Sequence, residues 1–275
     1  SGSFSYQLLE HLEHGLLWEY RRTHQLVEDE ANKFNCQQEA KALIEAIEAF
    51  RDRINVDKEF VRYKTLVGFE SVFPQHWTND KFDYEGMDEY RNAQIDAFVN
   101  SITTENEAEW LVFMERCAST KSNDLATFPT FGAFIVALAK AKPATAERFI
   151  KSATSDLLDF LSGFLGGLAE SGDVDIYQRT VAQFLEQGTY LTSLARHWRN
   201  SKPAQPTIIS EVLQKAIAAK DDIAVIECLL FSMEESGSDK VPPSNDFFRL
   251  ALEYLTERKE TRWIHGAWFL KTTKG

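Results

Sequence analysis

The stretch Ile208–Phe231, IISEVLQKAIAAKDDIAVIECLLF, can be laid over Phe247–Phe269, FFRLALEYLTERKETRWIHGAWF, with a shift of about 38 residues. Ile209 then meets Phe247, Val212 meets Leu250, and Ile217 meets Leu255. Lys220 meets Arg258, Val225 meets Trp263, and Ile226 meets Ile264. In each copy the apolar positions recur at helical spacing, break at a charged cluster and resume, which predicts two helices joined by a turn. Both copies follow proline: Pro206 in the first, Pro242 and Pro243 in the second. The unit starting near Phe131 fits the same template about twice as far upstream, with Phe134 over Val212, Leu138 over Ala216 and Lys142 over Lys220. Its second helix needs a shift of a residue or two.

A period of about 40 residues with two helices per unit is the spacing of stacked helical repeats, since one such hairpin cannot bury its apolar face alone. The expected fold is all-α: helical hairpins stacked as an α-solenoid, with an N-terminal helical region before them. Over about residues 85–271 the spacing and apolar positions resemble the HEAT/armadillo class of α-solenoids, without a signature motif. That resemblance implies a non-catalytic scaffold or adaptor that binds another protein along its stacked helices. The runs FPTFGAFIVALAKAKPATAERF and FFRLALEYLTE are also similar in style to the helical arrays attached to bacterial STAND-type NTPases and related anti-phage defence proteins. That second likeness implies a sensor or docking segment of a larger effector. There is no Walker motif, so any ATPase lies outside these residues.

Upstream, Leu8, Leu9, Leu12, Leu16, Tyr20 and Val27 fall on one helical spacing, and Ala40, Leu43, Ile44, Ile47, Phe50 and Ile54 on another. A shorter helix carries Phe60, Val61, Leu66 and Val67. The stretch from Gly68 to Gly86 has no periodicity and marks a boundary. The expected organisation is therefore a helical region over 4–68, an aromatic-rich irregular linker over 69–84, and the repeat domain over 85–271. Thr104 and Glu107 have the spacing of a capping box for the helix that follows.

The run DLLDFLSGFLGGLAESGD, Asp156–Asp173, sets glycines among leucine and phenylalanine. Its apolar part is too short to span a bilayer, which needs about 20 residues. No lysine-serine or lysine-threonine follows the glycines, so it is not a phosphate loop. Leu157, Leu158, Leu161, Phe164, Leu165 and Leu168 form one helical stripe, and Gly163 and Gly167 lie four apart beside it. Each glycine costs a helix about 1 kcal/mol relative to alanine, and close approach of a neighbouring helix is the reason to expect.

The net charge of −12 repels phosphate backbones, so no nucleic-acid partner is expected. Residues 1–100 hold 19 acidic against 11 basic side chains, while residues 201–275 are nearly balanced. Cys36, Cys117 and Cys228 show neither a disulfide framework nor zinc spacing, which favours a reducing, cytoplasmic setting. No leader and no membrane segment are expected; the opening Ser-Gly-Ser reads as a tag remnant, which allows a longer parent chain.

Chemistry offers few candidates. His11 and His14 lie three apart but lack the Glu partners of zinc or di-iron helices, so no metal is expected. Arg258 and His265 have the spacing that resembles the Arg-x4–6-His motif of HEPN ribonucleases, although Lys259 stands where those enzymes usually place a polar residue. His197, beside Arg196, sits where a cation complements a helix C-terminus. No nucleophile elbow or Cys/His pair is present, so neither catalytic residues nor a cofactor are assigned. Large amphipathic side chains in irregular segments are favoured binding material. Phe73, His76, Trp77, Phe82 and Tyr84, with Trp263 in the last helix, are the candidate protein-binding residues, and packing of these rings is the competing reading. Trp268 and Phe269 raise the same question.

Overall fold

A computed structural model describes residues 5–28, 36–79, 81–122, 124, 127–200, 206–233 and 244–272, with no side-chain account of residues 28, 200, 206 or 268–272. Among the described residues the fold is helical throughout and has no strand. None of these helices is long and apolar enough to cross a membrane. Pro242, Pro243 and the side chains of Trp268 and Phe269 lie outside the described residues. The chain divides into two compact units, Ser1–Phe134 and Ile135–Gly275.

The first unit holds α1 (Tyr6–Glu28), α2 (Gln37–Ile54), α3 (Lys58–Val67), α4 (Tyr84–Ser101), α5 (Glu107–Ala118) and the start of α6 (Pro129–Ala141). Helix α1 packs along α2 and also touches α3, and α3 packs on α4 and α5. Asp57 starts α3 by accepting the Glu59 and Phe60 N–H groups, and Asp83 starts α4 through Gly86 N–H. Such caps satisfy donors that a helix terminus leaves open. Helix α5 begins without the expected Thr104 cap: Asn106 precedes it, and its side chain bonds Thr103 N–H and the Ser101 carbonyl instead. Between α3 and α4 the segment that lacks periodicity forms two short 3-10 turns, Glu70–Val72 and Pro74–Trp77. Turns of three or four residues are too short to show a period.

The second unit continues through α6 to α7 (Pro143–Ser152), α8 (Ser155–Leu158), α9 (Leu161–Glu170), α10 (Val174–Gln187), α11 (Leu191–Asn200), α12 (Pro206–Ala219), α13 (Asp222–Met233), α14 (Asn245–Glu257) and α15 (Arg262–Thr272). Pro143 and Pro206 open α7 and α12, where a missing N–H costs nothing. Contacts run two elements along: α7 on α9, α9 on α11, α11 on α13, and α13 on α15. The even helices α10, α12 and α14 pack between or beside them. Helix α13 is covered all round, Ala224 to Phe231 being buried without a break.

Helices α10, α12 and α14 end alike. Gly188, Lys220 and Lys259 take left-handed φ values of 64°, 58° and 57°. The next residue in each case donates its N–H five residues back: Thr189 to Phe184, Asp221 to Ala216, Glu260 to Leu255. This is the 6→1 closure of a left-handed helix cap. Lys220 thus corresponds to Lys259, one residue later than the sequence overlay places it. In that register Val212 and Ala216 of α12 match buried Ala251 and Leu255 of α14, whereas buried Ile209 matches exposed Phe248. In the sequence overlay, one residue earlier, Ile209 meets buried Phe247 but buried Val212 meets exposed Leu250.

Candidate functional site

The linker aromatics form two groups that meet at Phe82, which touches His76 and Tyr84 and also packs against the core that holds Trp77. Phe73 packs in a small core with Val72 and Met87. His76 is wholly buried, Nδ1 lying 2.8 Å from the Glu70 carbonyl while Nε2 accepts the Asp83 N–H at 2.9 Å. That pairing places the ring proton on Nδ1. Phe82 lies edge-on to His76 at 4.8 Å and stacks on the exposed ring of Tyr84. The structure therefore brings Phe73, His76, Phe82 and Tyr84 together. Trp77 turns the other way, into the core of α1 and α2 with Leu17, Tyr20, Ile44 and Ile47. Its Nε1–H donates to the Ser71 carbonyl at 3.0 Å, and the Arg51 guanidinium lies 5.1 Å above its ring. Trp263 belongs to the second unit, half-buried in α15.

Helix α1 keeps Tyr20 in its core with Leu16 and Val27 packed against it, as the sequence leads one to expect, but turns Leu8 and Leu12 out. The face it buries is Glu10, Glu13, Leu17, Tyr20 and Thr23, spaced like an apolar stripe. Leu8, Leu12, Trp18 and Leu26 are left 38–49% exposed. The cause is polar. Lys64 of α3 places its ammonium 2.7 and 2.8 Å from the Glu13 carboxylate oxygens, and Asn55 Nδ2 donates to the same group at 2.7 Å. Glu10 accepts the Phe69 N–H at 3.0 Å. Burial pushes the Glu10 carboxyl above its ordinary range, opposed by that N–H. Burial likewise pushes the Lys64 ammonium down, and Glu13 pulls it back. Sequence reasoning missed Glu10, Glu13 and Lys64. The signal that could have found them is the placement of two carboxylates one helical turn apart, in line with Leu17 and Tyr20.

Above this pair opens a cleft of about 450 Å³, lined by Arg51, Asn55, Lys64, Ser71, Trp77 and Tyr90 among others. Arg51 holds Asp52 through Nε and Nη2. Ser71 is 2% exposed, and its hydroxyl has no protein partner.

The remaining candidates have local roles. His11 Nδ1 lies 2.6 Å from the Gln7 carbonyl, and His14 Nδ1 lies 3.4 Å from a Glu70 carboxylate oxygen. Burial holds the His14 ring below its usual pKa. Among the described residues no group of three or more His, Cys, Asp and Glu side chains is placed to hold a metal ion. Arg258 donates to Asp222 through Nε and Nη2, and the Tyr254 hydroxyl donates to Asp222 at 2.8 Å. His265 is exposed on α15. The Cys117 and Cys228 thiols are free and buried, and burial pushes both pKa values up.

His197 does not cap a helix end in solvent. It is 2% exposed in α11, its Nε2 lies 2.8 Å from the Tyr177 hydroxyl, and burial lowers its pKa from 6.5 to about 4. Between those values the unfolded chain binds a proton that the folded chain refuses, so stability falls as pH drops from about 6.5 to about 4. The shift corresponds to about 3 kcal/mol. Urea unfolding at pH 7 and pH 4 should show wild type losing about that much more than His197→Gln. Equal losses would remove His197 as the cause.

Compared with models of protein families, with curated proteins and with solved structures, the chain matches none. The fold defines its class: an all-α protein with helices packed on one another.

Proposed function

We propose that this chain is a protein-binding helical module of the HEAT/armadillo kind, without catalysis of its own. The contacts two elements along and the shared left-handed caps of α10, α12 and α14 support stacked hairpins in the second unit. The observation that carries the binding role is the outward turn of Leu8 and Leu12 in α1. A helix that buries two carboxylates while exposing Leu8 and Leu12, one turn apart, leaves an apolar patch for a partner to cover. The acidic balance of residues 1–100 suits a partner helix whose own apolar stripe is edged with lysine or arginine.

A photo-crosslinking residue at Leu12 should join the chain to one such protein in lysate of its native host, and Leu8→Asp should abolish that adduct. The same adduct formed with equal yield from exposed Val174, or none from Leu12, would refute the proposal. Leu8 is 44% exposed, so its replacement should leave the melting temperature nearly unchanged. A loss of the adduct therefore reports contact and not unfolding.

A further inference from the structure

We propose that the exposed rings of Trp18 and Tyr84, with Phe82 between them, bind a proline-rich peptide segment that carries arginine or lysine. Trp18 is 49% and Tyr84 53% exposed, although they come from different helices, α1 and α4. Phe82 joins them. Its ring centroid lies 4.9 Å from that of Trp18 and 5.9 Å from that of Tyr84, against which it stacks. Single rings scattered on a surface need no explanation, but three in contact form a continuous apolar patch. The patch is also held in place before any ligand arrives. Arg21 stands 4.3 Å over the Phe82 ring while donating to the His76 and Asn79 carbonyls, and His76 meets the same ring edge-on. His14 lies edge-on to Trp18 at 6.4 Å.

The chemistry of the patch selects its ligand. Among the described residues there is no strand, so an extended peptide finds no edge to pair with and must be held by its side chains. A polyproline II segment suits this, because its backbone makes no internal hydrogen bonds and stays solvated while its rings dock on aromatic faces. It is ordered before it binds, which keeps the entropy cost low. One turn of such a segment is roughly 9 Å long, a span comparable to that from Trp18 across Phe82 to Tyr84. Charge selects the flanks. Glu19, Asp83 and Glu85 are exposed beside the rings; Arg22 and Lys81 are exposed nearby, and residues 1–100 retain a clear excess of acid. A basic residue next to the prolines is therefore favoured. The surface rests on other residues than Leu8 and Leu12 and does not depend on their role.

Fluorescence anisotropy of a labelled oligoproline peptide flanked by arginines, titrated with the full chain, tests this. A glycine-serine peptide of equal length with the same arginines is the control for charge alone. The oligoproline should saturate and bind at least about tenfold more tightly than the control. Trp18→Ala and Tyr84→Ala should each weaken that binding about tenfold, with little change in melting temperature, since both rings are about half exposed. Should Trp18→Ala lower the melting temperature, Tyr84→Ala decides alone. Val112→Ala, at a 57% exposed position of α5, should have no effect. Any one of three results would overturn the proposal: no saturation by the oligoproline, equal affinity for the glycine-serine peptide, or affinity unchanged by Tyr84→Ala.

Discussion

Gly167→Leu is expected to destabilise the second unit by roughly 4 kcal/mol or more, among the larger effects a single substitution produces. Gly167 lies where α9 crosses α6 at very short range. A Cβ there would stand 2.6 Å from Ala139 Cβ and 2.9 Å from Lys140 N, and closer still to the Val136 carbonyl oxygen. Two of those neighbours are backbone atoms, which cannot swing aside as a side chain can. The helices must part, and parting them also strains the Lys140–Glu170 ion pair at 2.9 Å. Gly167→Ala carries the same clash with less bulk, offset by the roughly 1 kcal/mol that alanine gains over glycine in a helix. Gly166 is the control, since a Cβ there meets nothing within 4 Å. Gly166→Ala should stabilise by up to about 1 kcal/mol. Denaturant unfolding of the three variants checks this ordering. Equal stabilities for Gly166→Ala and Gly167→Ala would mean that α9 and α6 are free to separate.

Glu13→Leu should cost about 3–5 kcal/mol, because it leaves the Lys64 ammonium buried without its counter-ion. Lys64→Met should cost a similar amount by stranding the carboxylate. Glu13→Leu combined with Lys64→Met should recover most of the loss, since an apolar pair of similar volume avoids desolvating both charges. Asn55 sets a limit on that recovery, as its amide donates to Glu13 at 2.7 Å and would lose the bond. A double-mutant cycle by urea unfolding measures the coupling directly. Strict additivity of the two single losses would show that the charges do not depend on one another.

How much of this was legible in the sequence differs by element. The helices α12, α13, α14 and α15 were legible because each carries helical periodicity and a charged break separates the members of each pair, and Ile209 and Phe247 are buried as the overlay requires. The role of Gly167 was also foreseeable: a glycine beside an apolar stripe needs a reason, and the α6 backbone supplies it. The rotation of α1 was not. Leu8 and Leu12 look like core residues until Lys64 and the Phe69 N–H, more than 50 positions away, are known to reach Glu13 and Glu10. The same distance hid the cleft, whose walls come from α1, α2, α3, the 3-10 turns and α4. Among the linker aromatics, composition could not distinguish Trp77, fixed against Tyr20 at 5.4 Å, from Tyr84 in solvent.

The inverted face of α1 also bears on how the chain folds. Its sequence encodes two competing ways of docking on α2, one that buries Leu8 and Leu12 and one that buries Glu10 and Glu13. Hydrophobic attraction is non-directional, so a collapsing chain is expected to sample the arrangement with Leu8 and Leu12 inward as well. Only when α3 brings Lys64 into place does the native alternative gain its advantage. This is local frustration, resolved by one ion pair. Helix α1 is therefore expected to commit to its final rotation late, and Lys64→Met should slow its docking in refolding more than it slows the formation of α3.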